Sequence, residues 1–279
     1  MTELLFGTAG VPHSTELKTT ISGIRRVTEL GLGCMELEFV QGVRMGEESA
    51  RQVAEVAEKE GIKLSVHAPY YINLNAHEPE KITASQERLL KTARIASLCG
   101  ARNIVFHAAF YLGDSPEVTY EVVKKHLKEI IHQLKKEDIS VLLRPEITGK
   151  PSQFGTIEEI LNLSTELGMV APCIDFAHCH ARSGSFNSYT QFASILQRIQ
   201  DSLGRTALDD MHMHIAGIKY GEKGELKHLN LQESDLHYVE LMQALCDYRV
   251  KGLVICESPN LEEDALLLQN TYSNLMSEV

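Results

Sequence analysis

Asn103-Ile104-Val105-Phe106-His107 is a short β-type run whose apolar residues are consecutive and which closes on a histidine. Consecutive instead of alternating apolar residues are expected in a parallel strand covered by helices. Downstream, Val118, Val122, Leu127, Ile130, Ile131 and Leu134 recur near the helical period, which predicts a helix with one apolar face. Ser140–Glu146 then reads as a second strand, with Val-Leu-Leu inside it and Glu146 at its end. Strand, helix and parallel strand make one βα unit.

The same unit repeats along the whole chain. Further strands are predicted at Leu4–Ala9, Cys34–Val40, Lys63–His67, Val170–Phe176, Met211–Ala216 and Gly252–Glu257, eight in all with the two above. The 248 residues from Ala9 to Glu257 divide into seven intervals, or about 35 residues each, the size of one βα unit. Helix starts are predicted at Thr156 with Glu159, Thr83 with Gln86 and Asn260 with Glu263, each reading as a capping box or its Asn analogue. No Pro/Gly/Ser linker or low-complexity tract interrupts residues 1–279, so the expectation is a single-domain α/β protein, a (β/α)8 TIM barrel. An open doubly wound sheet is the alternative, but no G-x-G-x-x-G follows the first strand.

Composition is that of an ordinary globular protein, 43% hydrophobic and 23% charged. With 27 Lys+Arg against 38 Asp+Glu, the net charge of −11 argues against binding nucleic acid by bulk positive charge and leaves room only for a local basic groove. The first residues lack a basic and apolar leader pattern, and no window is apolar enough for a membrane span, so a cytoplasmic protein with no membrane partner is expected. The six cysteines form no Cys-x-x-Cys pair and read as reduced, buried thiols.

Chemistry enters at the carboxyl ends of the strands, the face where barrels carry activity. There lie His67, His107, Glu146, Asp175 with His178 one turn on, His212 and His214, and Glu257. A single histidine at a strand end is ordinarily a hydrogen-bonded packing residue. Six consecutive strands ending in His, Asp or Glu would instead crowd buried charges together at a cost of several kcal/mol each, which divalent cations relieve. Imidazole and carboxylate without thiolate suit Zn, Mn, Fe or Co. His67, His107, Glu146, Asp175, His178, His214, His228 and Glu257 are too many ligands for one four- to six-coordinate ion, so two or three ions are expected. Closely spaced ions suit phosphate ester hydrolysis. His212 and His214 share a face; the one nearer the strand end, His214, is the expected ligand, and His212 fills the interior or supports it.

These residues resemble the endonuclease IV family, zinc-dependent apurinic/apyrimidinic endonucleases of the xylose-isomerase-like barrel superfamily. The motifs run in order: His67-Ala-Pro-Tyr-Tyr-Ile-Asn-Leu74, Phe106-His107, Pro145-Glu146-x-Thr148, Cys173-Ile-Asp175-Phe-Ala-His178, Met213-His214, His228-Leu-Asn-Leu and Cys256-Glu-Ser-Pro. The resemblance implies zinc, with manganese admitted at some positions: a first ion on His67, His107 and Glu146, a second on Glu146, Asp175, His214 and Glu257, a third on His178 and His228. It implies cleavage of duplex DNA 5′ to abasic sites, leaving a 3′-hydroxyl and a 5′-deoxyribose phosphate, with Glu146 as the catalytic residue that anchors the bridged pair. It assigns DNA contacts to Tyr70 and Tyr71, inserted into the duplex, and to Arg44; a monomer is expected. Three departures stand out. Leu226 occupies the position of a third-ion Asp, with Glu225 beside it; Ala216-Gly217 stands near the family's Asn-Asp; and the segment 149–155 after Glu146 is altered. Sugar epimerases and isomerases on this barrel use Glu146, Asp175, His214 and Glu257 equivalents with one ion, and a sugar isomerase or epimerase is the alternative. A metal-bearing DNA-binding protein without efficient cleavage is a third class. Three divalent ions would bring the charge to about −5, and affinity for undamaged DNA should fall at moderate salt.

Overall fold

The computed structural model describes residues 2–277. In chain order the elements are β1 (Leu4–Ala9), α1 (Thr20–Glu29), β2 (Cys34–Glu38), α2 (Glu47–Glu60), β3 (Lys63–His67), α3 (Pro79–Leu98), β4 (Asn103–Phe106), β5 (Ala109–Phe110) and α4 (Pro116–Lys136). The second half continues with β6 (Leu142–Pro145), β7 (Gln153–Phe154), α5 (Ile157–Glu166), β8 (Cys173–Asp175), α6 (Phe176–Ser183), α7 (Tyr189–Leu203) and α8 (Arg205–Leu208). It ends with β9 (Met211–Ile215), β10 (Gly217–Gly221), β11 (Gly224–Leu229), α9 (Tyr238–Asp247), β12 (Gly252–Cys256) and α10 (Glu262–Ser277).

Eight parallel strands run in the order β6-β4-β3-β2-β1-β12-β9-β8. Bridges from Leu143 to Val170 and from Glu146 to Cys173 close β6 onto β8. The protein is a single-domain α/β TIM barrel, as the βα repeat predicted. Each predicted barrel strand is present, several trimmed at the ends. Pro172 lacks the N–H a ladder needs, so β8 starts at Cys173; β6 runs to Pro145, and Glu146 continues its line through the bridge to Cys173. The added pieces, β5 with β7 and β10 with β11, are antiparallel pairs outside the barrel sheet.

Three helix expectations are corrected. Thr83 is not a cap: α3 begins at Pro79, and Thr83 sits a turn inside it, its hydroxyl donating to the Pro79 carbonyl (3.1 Å). Asn260 forms no reciprocal box with Glu263; its amide donates instead to Asp264 (2.9 Å). On α4 the buried face runs through Thr119 and Val123, whereas Val118 is exposed. Ser115 caps that helix and Pro116 opens it; only the first two predicted positions miss, and Leu127, Ile130, Ile131 and Leu134 are buried as predicted. The box at Thr156 and Glu159 forms as predicted. All six cysteines are free and buried.

Period-two alternation sorts the barrel residues. On β2, Met35 and Leu37 pack outward in the main core, while Cys34 meets Leu253 and Ile255 inside the barrel. Glu36 and Glu38 share the face of Cys34 and point into the barrel as well. Asp175 ends β8 and caps α6: its Oδ1 accepts from the His178 amide at 2.6 Å. The fold thereby fixes one carboxylate oxygen on a helix terminus and leaves the other for the mouth.

Candidate metal centre

Glu146 lies at the centre of the mouth, 1% exposed. Its Oε2 is 3.0 Å from His107 Nε2 and 3.3 Å from His67 Nε2. Its Oε1 is 3.0 Å from His178 Nδ1 and 3.5 Å from His214 Nδ1. His214 Nδ1 is also 3.3 Å from Glu257 Oε1, and His178 Nδ1 is 3.1 Å from Asp175 Oδ2. Three adjoining groups result whose ligand atoms lie within 4.8 Å of one another: His67, His107 and Glu146; Glu146, Asp175, His214 and Glu257; Asp175, His178 and His228. The structure thus brings all eight sequence-predicted ligands together.

The histidines are oriented from behind. Nδ1 of His67 meets the Ala68 carbonyl at 2.8 Å, that of His178 the Ile147 carbonyl at 3.0 Å, and that of His228 the Glu257 carbonyl at 3.2 Å. A carbonyl only accepts, so each Nδ1 carries a proton, and once the ring is neutral Nε2 is the nitrogen left with a lone pair, the tautomer of a metal-binding imidazole. The Nε2 atoms of His178 and His228 then face each other at 3.4 Å. Zn–N bonds of 2.0–2.1 Å at a tetrahedral angle would separate two nitrogens by about 3.3–3.4 Å.

The surroundings of the third group depend on the β10–β11 hairpin. Pairing runs Ile218 to His228, Lys219 to Lys227 and then Tyr220 to Glu225, so Leu226 is an extra residue in a bulge. The bulge reverses alternation: Leu226 turns out, 60% exposed, and Glu225 joins the face of His228, its Oε2 3.5 Å from His178 Nε2. Glycine permits the approach. A Cβ on Gly149 would lie 2.7 Å from Glu225 Cβ, and Gly224, at φ +85°, passes so close that its Cβ would meet the Gly149 carbonyl oxygen at 2.2 Å.

Charge balance fits divalent cations. Burial acts to raise the Glu146 carboxyl, but His107 and His214 overcome it and hold it well below the ordinary range. Burial opposes charge on His67 and His178, yet the carboxylates Glu146 and Glu38, and Asp175 and Glu146 respectively, raise both to about 10. Asp175, chiefly by burial, is pushed up to about 7. Protons on imidazole stand where cations would; Glu146 Oε1, Asp175 Oδ2 and both His214 nitrogens are buried without an aligned hydrogen-bond partner. Cys173 lies near His212 and His214, but burial pushes its thiol up to about 12, so it offers no thiolate at neutral pH.

A family model described as xylose isomerase-like TIM barrel matches residues 24–271. The chain belongs to that family. Among relatives of this xylose isomerase-like barrel, an uncharacterized protein of Methanocaldococcus jannaschii is 48% identical over 273 residues, covering 98% of each chain. A probable endonuclease 4 of Mycoplasma pneumoniae is 25% identical over 201 residues, 70% of this chain and 68% of that one. Solved structures with the same fold include endonuclease IV from Thermus thermophilus, at a TM-score of 0.75 and 17% identity, covering 99% of this chain and 100% of that one. A D-tagatose 3-epimerase-like protein scores 0.74 at 16% identity, with 99% and 98% covered.

The loops of this xylose isomerase-like barrel place the remaining predicted residues. Tyr70 and Tyr71 are 60% and 62% exposed, and the Tyr70 ring lies edge-on to His67 at 5.7 Å. Arg44 is exposed on the loop after β2, lining a cavity of about 430 Å3 with Glu38. Part of the His67–Leu74 motif is structural: Asn73 Oδ1 accepts from the amides of Asn75 (3.1 Å) and Phe110 (3.2 Å), and Ile72 and Leu74 are buried. Sequence reasoning missed Glu36 and Glu38. Glu36, fully buried, takes hydrogen bonds from Ser65 Oγ (2.7 Å) and His212 Nε2 (3.0 Å) and lies 2.9 Å from His214 Nε2. His212 therefore supports the ligand layer from below, as expected. The signal was available: Glu-x-Glu inside an apolar strand puts two acids on one face, as His-x-His does on β9.

Proposed function

We propose that this protein is a zinc-dependent phosphodiesterase of duplex DNA, cutting 5′ to abasic sites. The observation that carries the reading is the His178–His228 pair, two imidazoles anchored through Nδ1 with their Nε2 atoms 3.4 Å apart. That pair and His67 with His107 lie outside the set Glu146, Asp175, His214 and Glu257, which alone suffices for one ion. Bound divalent ions would supply an activated water and neutralise charge developing on the phosphate. The chain's own part is arrangement. Glu146 would hold the first and central groups together, Asp175 the central and third. Tyr70, edge-on to His67, would pack against the extruded deoxyribose and shield the site from bulk water, while Tyr71 and Arg44 would enter the duplex. The 25% identity with a probable endonuclease 4 supports this reading.

Sugar epimerisation with one ion is the second reading, favoured by the completeness of that four-residue set. Freshly purified protein is to be assayed for metal by mass spectrometry and for nicking of a duplex with one abasic analogue. Two or three zinc ions with nicking 5′ to the lesion are expected. One ion per chain, an intact duplex and turnover of a ketose would overturn the nuclease.

A further inference from the structure

The β10–β11 hairpin carries charge that the metal centre does not use. Its inner face, Ile218, Tyr220, Glu225 and His228, packs on α6 and the third group. Its outer face carries Lys219 and Lys227, direct cross-strand partners and both exposed. Lys223 is exposed at the turn. Lys150 sits on the adjoining loop, its Cα 3.1 Å from where a Gly224 Cβ would be. Among the described residues none of these four ammonium groups has an ion-pair or hydrogen-bond partner. Of the hairpin's two acids, Glu225 is turned inward by the bulge and Glu222 lies at the turn.

Like charges directly opposite on a two-stranded ribbon repel and destabilise it. A chain with 38 acids against 27 bases has carboxylates to spare, yet leaves this strip without them. Such an arrangement is stable when an anion lies across it, and it is the local basic surface that an acidic nuclease needs. We propose that the outer face of the β10–β11 hairpin grips the phosphate backbone of the duplex beside the metal centre, with exposed Leu226 lying against the sugar edges. The proposal rests on the phosphodiesterase reading, and a neutral monosaccharide would have no use for the strip.

The test uses the metal-loaded full chain, wild type and Lys219→Ala/Lys227→Ala, with a short duplex carrying one abasic analogue. Binding is followed by fluorescence anisotropy from 50 to 200 mM KCl, and nicking is measured in parallel. Each phosphate contact contributes about 0.9 to the slope of log affinity against log salt, so the double variant should be shallower by about 1.8. Over that range the wild-type Kd should rise about 12-fold more than that of the variant. KM for nicking should rise, kcat and the ion count should hold, and Arg at both positions should restore the slope. Equal slopes and equal KM in an enzyme that nicks would overturn the hairpin contact alone. A wild-type protein that neither binds nor nicks the duplex would overturn the functional reading and this contact with it.

Discussion

Replacing Glu146 by Gln keeps the shape of the side chain and removes the charge around which the centre is arranged. The carboxylate lies 3.0–3.5 Å from His107, His67, His178 and His214 and belongs to two of the three ligand groups. A neutral amide would serve neither group well, while Asp175, His178 and His228 would keep all their own donor atoms and lose only the Glu146 charge beside His178. The expected ion count in the variant is one. Metal ions supply several kcal/mol of charge stabilisation to phosphoryl transfer, and at about 1.36 kcal/mol per decade a loss of about 4 kcal/mol slows nicking roughly a thousandfold. The metal-free chain should also weaken, since breaking a buried pair costs about 3–5 kcal/mol. With 279 residues and about 2.1 cal/mol/K of unfolding entropy each, that lowers Tm by about 5–9 °C. Mass-spectrometric metal content, single-turnover nicking and calorimetry in chelator read the three effects. A Glu146→Gln protein that keeps every ion and nicks within tenfold of wild type would refute the central role.

Removing metal should itself destabilise the chain: an ion at a thousand times its Kd contributes about 4.1 kcal/mol, or roughly 7 °C for a chain of 279 residues. That gap should widen with rising pH. The folded-state pKa of His67 and of His178 is raised from 6.5 to about 10, so their support of the metal-free chain is complete below pH 6.5 and is lost as pH climbs through about 10. Metal binding improves as the same imidazoles lose protons; a gap that narrows between pH 6.5 and 9 in calorimetry would contradict this. Glu225→Ala should weaken the third ion selectively in a zinc titration, whereas Leu226→Asp should add no ligand because the bulge turns that position outward. Tyr71→Ala, which removes a ring placed among the bases of the opened duplex, should loosen the lesion-bearing duplex by about tenfold in fluorescence anisotropy, given roughly 1–3 kcal/mol per stacked base, with ion content unchanged. Glu36→Gln should lower affinity for the central ion by about 10–100-fold through loss of its hold on His214, read by chelator competition.

Strand periodicity and spacing were enough to read the barrel, because every βα unit repeats the same apolar run and helical stripe. Six of the eight candidate ligands were legible because the fold sends successive strand ends to one place; His178 stands one turn beyond Asp175, and His228 was read from its His-Leu-Asn-Leu motif. Glu36 and Glu38 were not legible, because β2 was expected to run to Val40, which put an apolar residue at its end and left the two acids inside it, whereas the strand ends at Glu38. The α4 stripe was read correctly from Leu127 to Leu134 and missed by one residue only at its first two positions. Val118 and Val122 have helical spacing, but Thr119 and Val123 face inward. Val122 lies five residues before Leu127 and Val123 four, so the helical period itself favours Val123.

The third ligand group shows where a residue-by-residue comparison loses information. Leu226 stands where an acid is expected, and on that count the group reads as broken. Ligand supply depends on which residues face the site, and the one-residue bulge changes that by moving Glu225 onto the face of His228. The shift demands room, which Gly149 supplies against Glu225 and His178, and a left-handed turn, which Gly224 supplies. These features lie in two segments, 149–155 and 224–228, that each depart from the expected pattern when taken singly. Together they are complementary: the altered loop makes space for the displaced acid. A Gly149→Ala change should therefore impair the third ion as much as loss of Glu225 does, although residue 149 has no side chain to coordinate anything.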